Sequence, residues 1–371
     1  MDKGHITLVS NNYWTLYKFR YDVIQMLIKE GYKVNLIAKK DSYHKFFSNK
    51  KIIKHFISLQ ERGTNIFYEI KTFREIYRLH KIIKPKIVFN FTLKPNIYSS
   101  IATRILGIKT ISMITGLGHV FIQNNNLFKY IIIRLLRLSL RKSMEIWFTN
   151  NFDREYFNRK KILTNQKSFI IPGAGVNITK KKIFRKNPTH KYNLVMISRL
   201  LKEKGVNEFI AAAKFFNDDK DKKFILIGAH NDDEHHINKN LLNKAISNKE
   251  IIYHPHRDDI DDFLKNSDCI IHPSFREGMS TILLEAAAFK VPIITTKVPG
   301  CIDIIINEDY GFLCDPANSK SLIMKIIEFI KMNEENPKSI NEKVDKTFNH
   351  VINKFDRKKI IEKFKLTIEQ Y

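Results

Sequence analysis

Cys269-Ile-Ile-His-Pro273-Ser-Phe-Arg-Glu277-Gly-Met-Ser280-Thr-Ile-Leu-Leu-Glu285-Ala-Ala-Ala-Phe289-Lys-Val-Pro292-Ile-Ile-Thr295 reads as a strand, a loop, a helix and a second strand. The short β-branched runs Cys269–His272 and Pro292–Thr295 are buried strands, and Thr281–Phe289 is the helix that carries the chain back between them, so the two strands are parallel neighbours. The same alternation extends upstream. Strand Leu194–Ser198, helix Val206–Phe216, strand Phe224–Gly228, a polar helix over His235–Ser247, strand Ile251–Tyr253 and helix Asp259–Asn266 complete one doubly wound pattern.

A second pattern of this kind fills the first half. Strands are expected at Ile6–Val9, Val34–Ala38, Ile52–Ile57, Ile87–Phe91, Thr110–Ile114, Ile146–Thr149 and Ser168–Ile171, with helices at Phe19–Glu30, Ile66–Lys84 and Asn96–Leu106. Pro172-Gly-Ala-Gly-Val176, followed by a lysine-rich stretch to Pro188, separates the two. Helical segments at Ser321–Met332 and about Lys354–Tyr371 end the chain. The expectation is an α/β protein of two doubly wound, Rossmann-like domains facing across a cleft. Residues 1–172 and 173–352 form the domains, and a C-terminal helix, 353–371, crosses back to the first. In such sheets ligands bind at the carboxyl ends of the strands, so chemistry should follow strands.

Composition is consistent with two ordered cores. The 371 residues are 43% hydrophobic and 27% charged, with only 13 Gly and 10 Pro, and the richness in Lys, Ile and Asn reads as background. Net charge is +26, of which residues 1–172 carry +21 and the remainder +5. That asymmetry implies a polyanionic partner for the first half, either an anionic membrane surface or nucleic acid. Cys269, Cys301 and Cys314 show no C-x-x-C spacing, which suits a reducing compartment. The start, MDKGHITLVSNN, has no apolar run behind a basic stretch, so a cytoplasmic location is expected.

Two segments carry the chemistry. Strand Leu194–Ser198 runs into Ser198-Arg-Leu-Leu-Lys-Glu-Lys-Gly205, which places Arg199 and Lys204 at a carboxyl end, where a forked guanidinium and an ammonium suit a diphosphate. The loop after Cys269–His272 holds Glu277, and Gly278, Met279, Ser280 and Thr281 lead into the helix, with Ser280 a candidate N-cap and Glu285 about one turn in. Amide groups and the dipole there suit an anion. The two carboxylates suit hydroxyl-rich groups such as ribose and hexose.

With R-x4-K-G at Arg199 and Lys204, and E-x7-E at Glu277 and Glu285 within P-S-x-x-E-G-M-S-x-x-x-L-E-A, the chain resembles the retaining glycosyltransferases of family 4, group 1, which have the GT-B fold. Ile171-Pro-Gly-Ala-Gly-Val-Asn177 is similar to the family's interdomain segment, and Val298-Pro-Gly-Cys301 to a later loop of its donor domain. The resemblance implies that Arg199 and Lys204 bind the donor diphosphate, Glu285 the ribose, and Glu277 the transferred sugar. It further implies a nucleotide-sugar co-substrate, UDP-linked by subgroup, and no metal or other cofactor. Phe91-Thr-Leu-Lys-Pro-Asn96 and Thr115-Gly-Leu-Gly-His-Val-Phe121 resemble a subgroup that builds bacterial O-antigen, capsule and lipid-linked oligosaccharide. This makes Lys94, Thr115, Gly116, Gly118 and His119 candidates for the acceptor or cleft, and a polyprenyl diphosphate-linked saccharide the implied acceptor. Two departures stand out: Ser10-Asn-Asn-Tyr-Trp14 replaces a glycine-rich loop, and Thr115 falls where many relatives have histidine.

Leu127-Phe-Lys-Tyr-Ile-Ile-Ile-Arg134-Leu-Leu-Arg137-Leu-Ser-Leu-Arg141-Lys142 is too short and too basic to span a bilayer. Arg134, Arg137 and Arg141 share a stripe with residues 127 and 130, either on the outside of a core helix or on an interfacial helix touching lipid. The protein is therefore expected to lie peripherally on the inner face of the cell membrane. His230-Asn-Asp-Asp-Glu-His-His236 lacks metal-ligand spacing, and Asp258-Asp-Ile-Asp-Asp262 reads as helix capping. Two rivals remain: a GT-B relative such as a nucleotide-sugar epimerase, and a basic nucleic-acid-binding protein. Against the latter, the chain has no helix-turn-helix, zinc or RNA-binding signature.

Overall fold

The computed structural model describes residues 3–60, 65–116, 126–178, 191–231 and 235–371. It divides into two compact units, Met1–Ala174 with Lys358–Tyr371, and Gly175–Arg357. Both boundaries lie later than 172 and 352, and local bonds explain why. Arg20 donates to the Gly173 carbonyl at 3.2 Å, which keeps that turn with the first unit. In the second unit Val176 N donates to Phe355 O at 2.9 Å, and Arg357 N to Val176 O at 3.1 Å.

The first unit runs β1 (His5–Asn12), α1 (Tyr13–Lys29), β2 (Lys33–Lys39), β3 (Ile52–Phe56), α2 (Ile66–Ile83), β4 (Ile87–Phe91), α3 (Leu93–Leu106), β5 (Lys109–Ile114), α4 (Asn126–Leu140), β6 (Glu145–Phe148), α5 (Asn151–Arg159) and β7 (Lys167–Ile170). Its sheet is parallel in the order β3-β2-β1-β4-β5-β6-β7, with the switch point between β1 and β4.

The second unit runs β8 (Tyr192–Ile197), α6 (Val206–Phe215), β9 (Lys222–Ile227), α7 (Lys239–Ser247), β10 (Ile252–His254), α8 (Ile260–Lys265), β11 (Cys269–His272), α9 (Thr281–Ala288), β12 (Ile293–Thr296), β13 (Phe312–Cys314), α10 (Ser319–Glu335) and α11 (Pro337–Phe355). Its order is β10-β9-β8-β11-β12-β13, again parallel, with β8 and β11 at the switch point. Every residue of β11 and β12 is buried, as strands covered on both faces require.

The last helix, α12 (Arg357–Gln370), sets Ile360, Phe364 and Ile368 into the core of the first unit. Phe364 packs edge-on against Trp147 at 4.8 Å and tilted against Phe89 at 5.0 Å. Buried Glu145 collects Trp147 Nε1 at 2.6 Å, Lys363 Nζ at 3.4 Å and the Tyr371 hydroxyl at 3.4 Å, so the end of the chain is held by charge as well as by apolar packing.

Asparagine proves to be more than background. Asn12, Asn65, Asn150, Asn238, Asn318 and Asn336 each accept an amide hydrogen at the start of a helix. Such caps contribute about 1 kcal/mol each. Asn12, bonded to Thr15 N at 2.9 Å, starts α1 at Tyr13 rather than at Phe19. The acidic run behaves differently from expectation: Asp259 stands at the start of α8 without a side-chain cap and pairs instead with Arg257, 2.5 Å away.

Candidate active site

The loops that follow β8 and β11 are laced together. After β8 the chain passes Arg199, makes a tight turn over Lys202–Lys204 and enters α6 through Gly205, whose φ is +74°. A Cβ at Gly205 would lie 2.0 Å from the Pro273 carbonyl oxygen, so the glycine of R-x4-K-G is required by close approach to the loop holding Glu277. Phe275 N donates to Glu203 O at 2.8 Å across the same seam. From the other side, Gly300 (φ +79°) abuts Glu277: a Cβ there would meet Glu277 Cβ at 2.8 Å. Val298-Pro-Gly-Cys301 is thus a wall behind the glutamate.

Within this frame Lys204 Nζ lies 2.6 Å from Glu277 Oε1, and His272 Nε2 lies 2.9 Å from the same oxygen. The side chains of Lys204 and Glu277 are 14% and 12% exposed. Burial pushes the Glu277 carboxyl up, but the charge of Lys204 and the hydrogen bonds from His272 and Lys204 outweigh it and hold the group well below the usual carboxylate range. Glu277 is therefore an ionised acceptor at neutral pH. Cys301 behind it is pushed up to about 12 by burial and then by the Glu277 charge, which keeps it a thiol.

Ser280 occupies the N-cap position of α9, but its side chain makes no cap bond. Its hydroxyl instead lies 3.2 Å from His272 Nε2. Gly278, Met279 and Thr281 complete the approach to the helix, and half-buried Glu285 sits in its second turn. Arg199 is exposed in the loop after β8. Lys204, Glu277 and Ser280 are thus joined, through His272, in one contact network at two adjacent strand ends. Sequence reasoning passed over His272, although a polar residue ending the apolar strand Cys-Ile-Ile-His, directly before Pro273, is a visible signal.

In the first unit, Thr115 and Gly116 follow β5 at its carboxyl end. Lys94, in the first turn of α3, is ion-paired with Glu69, which also accepts from the Tyr98 hydroxyl at 2.5 Å. Gly118 and His119 lie outside the described residues. On α4, Ile132, Leu136 and Leu140 are buried, whereas Leu127, Tyr130, Ile131, Arg134 and Leu138 are exposed, as is Arg141 in the turn just after it. Arg137 leaves the expected stripe. Its Nε and terminal nitrogen donate to the carbonyls of Lys161 and Lys160, both at 2.8 Å, just past the end of α5.

Residues 5–150 match the family model described as glycosyl transferase 4-like, and residues 177–347 match that of glycosyl transferases group 1. The chain is 26% identical over 328 residues to the N,N'-diacetylbacillosaminyl-diphospho-undecaprenol alpha-1,3-N-acetylgalactosaminyltransferase of Campylobacter jejuni, covering 84% of this chain and 85% of that one. It is 24% identical over 358 residues to the UDP-Gal:alpha-D-GlcNAc-diphosphoundecaprenol alpha-1,3-galactosyltransferase of Escherichia coli, covering 92% and 90%. Among solved structures, a sucrose-phosphate synthase from Thermosynechococcus elongatus superposes with a TM-score of 0.80 over 99% of both chains at 14% identity. With both halves matched in order and the fold shared along its length, the chain belongs to the family 4, group 1 glycosyltransferases of the GT-B fold.

Proposed function

We propose that this chain transfers a hexose or N-acetylhexosamine, with retention at the anomeric carbon, from a UDP-sugar to a polyprenyl diphosphate-linked saccharide during assembly of a bacterial surface glycan. The observation that carries the reading is the pairing of Lys204 with Glu277 beside the uncapped side chain of Ser280, at the carboxyl ends of β8 and β11. Both relatives compared above bear names of enzymes acting on undecaprenol diphosphate-linked sugars, and one name specifies UDP-galactose.

In this reading Arg199, Lys204 and the start of α9 at Gly278–Thr281 receive the diphosphate, stabilising the charge that grows on departing UDP without a metal ion. Glu285 accepts from the ribose hydroxyls, and Glu277 from hydroxyls of the transferred sugar. Thr115, Gly116, Gly118, His119 and Lys94 belong to the acceptor side. The exposed stripe of α4, with +21 on residues 1–172, meets an anionic membrane surface rather than nucleic acid, and the protein works peripherally on the inner face of the membrane. Among the described residues no helix is long and apolar enough to cross a membrane.

The test is a panel of nucleotide sugars incubated with polyprenyl diphosphate-linked saccharides, scored by nucleoside diphosphate release and by the anomeric configuration of the product. Retained configuration with a UDP-sugar is expected. Inversion, or interconversion of the sugar nucleotide without transfer, would overturn the proposal.

A further inference from the structure

His272 ends β11 with its side chain 4% exposed, and its position is fixed from the next strand by Thr295 Oγ1, which donates to the His272 carbonyl at 2.8 Å. Its Nε2 stands 2.9 Å from Glu277 Oε1 and 3.2 Å from Ser280 Oγ. An ionised carboxylate oxygen only accepts, so Nε2 carries the hydrogen whatever the charge of the ring. Nδ1 is buried with no hydrogen-bond partner. A polar ring has thus been taken out of water at the end of an apolar strand with one nitrogen unsatisfied, where a leucine or valine would fill the space without that penalty. What the ring provides in return is the bond to Glu277.

That bond has a directional consequence. Lys204 and His272 both donate to Oε1, and no described residue donates to Oε2. The carboxylate is held through one oxygen and leaves the lone pairs of the other for a ligand. The same nitrogen also draws the Ser280 hydroxyl away from capping α9.

We propose that His272 is a positioning residue for sugar transfer: it orients Glu277 so that Oε2 faces a hydroxyl of the transferred sugar, and it couples that carboxylate to the conformation of Ser280 at the start of α9. This rests on the reading of the second unit as the donor site, and it assigns the residue that fixes the geometry of that site.

Two polar replacements of similar burial separate positioning from packing. In His272→Gln the side-chain amide reaches the place of Nε2 and can still donate to Glu277. In His272→Asn the amide reaches only the place of Nδ1. Loss of a hydrogen bond to a buried charge corresponds to roughly a 10- to 100-fold loss, so His272→Asn should lower kcat/KM for UDP-sugar by that factor, while His272→Gln recovers most of it. The acid limb of the pH profile should move to higher pH in His272→Asn, because Glu277 has lost a donor to its charged form.

A readout independent of turnover is the 13C carboxyl titration of Glu277, assigned with Glu277→Gln. It should shift upward in His272→Asn and less in His272→Gln. If the wild-type protein turns over no nucleotide sugar, the proposed function falls, and the carboxyl titration still decides the role of His272. Indistinguishable titrations and rates in the two variants, or failure of both to fold, would make His272 a packing residue and overturn the inference.

Discussion

Lys204 Nζ reaches Glu277 Oε1 across 2.6 Å, tying the loop after β8 to the loop after β11 through a cation and a carboxylate that are both largely shielded from water. Removing one partner strands the other. Lys204→Met should therefore destabilise the protein by about 3 kcal/mol or more, the usual result of breaking a buried pair. Lys204→Met combined with Glu277→Gln should restore much of that stability without restoring transfer. Urea unfolding of the single and double variants checks this, and equal stability of the two would show that the pair is not coupled.

The ionisation of Glu277 sets a direction for pH dependence. Its folded-state pKa lies below the ordinary value of 4.5, so the stabilisation it provides is complete above that value and is lost as pH falls through the folded pKa. Wild type and Glu277→Gln should accordingly differ most in unfolding free energy above the ordinary carboxylate value of 4.5, and the difference should shrink steadily as pH falls below it. A gap that widened on acidification would mean that Glu277 is protonated in the folded protein.

Arg199→Ala and Glu285→Ala should each reduce transfer about 100-fold or more, since each would remove a polar contact proposed for the donor. Arg199 is exposed and Glu285 half-buried on a short helix, so both variants should keep the wild-type circular dichroism. Near-normal turnover in either folded variant would remove that residue from the donor site.

The parallel sheets were legible because their strands are short β-branched runs separated by helical spacing, as in Ile87–Phe91 and Ile293–Thr296. That Arg199, Lys204 and Glu277 follow strand ends and that Glu285 lies on the helix after them was legible because glycine, proline and charge follow strands at fixed spacing. What escaped notice depends on contacts distant in sequence or on local capping. Arg137 looks like its neighbours Arg134 and Arg141 until the carbonyls of Lys160 and Lys161 are placed beside it. Ser280 has the composition of a cap, and only the position of His272 explains why its side chain does not act as one. The start of α1 was missed because Asn11 and Asn12 read as a loop, whereas Asn12 is the cap itself. The three-residue strand β13 and the polar helix α11 carry too weak a period to be seen alone.

Treatment with EDTA should leave transfer largely unchanged, because Lys204, Arg199 and the start of α9 are proposed to neutralise the diphosphate unaided. Complete loss of activity, restored by magnesium or manganese, would overturn that part of the mechanism.

The membrane reading makes different predictions for three neighbouring arginines. Leu127, Ile131, Arg134 and Leu138 recur every three or four residues along α4, Arg141 follows in the turn after it, and all are exposed, so one stripe mixes apolar and basic side chains. Helices α2 and α4 both flank α3, and because they follow parallel strands all three begin at the same end of the sheet. At that end the first turn of α2 exposes Phe67 to 80%, and α4 exposes Leu127 to 72%. A basic residue near an anionic surface contributes about 1 kcal/mol, so Arg134→Gln with Arg141→Gln should weaken binding to anionic liposomes roughly 30-fold, and salt should weaken it further, with screening over about 10 Å at 0.1 M. Phe67→Ser and Leu127→Ser should remove the part of the binding that resists salt, since that part comes from apolar insertion. Arg137→Gln should instead lower thermal stability by about 1–2 kcal/mol through its lost carbonyl bonds, with little change in liposome binding. Liposome flotation beside thermal unfolding measures both quantities. If the wild-type protein ignores anionic liposomes, or binds RNA or DNA in preference at equal salt, the membrane assignment fails.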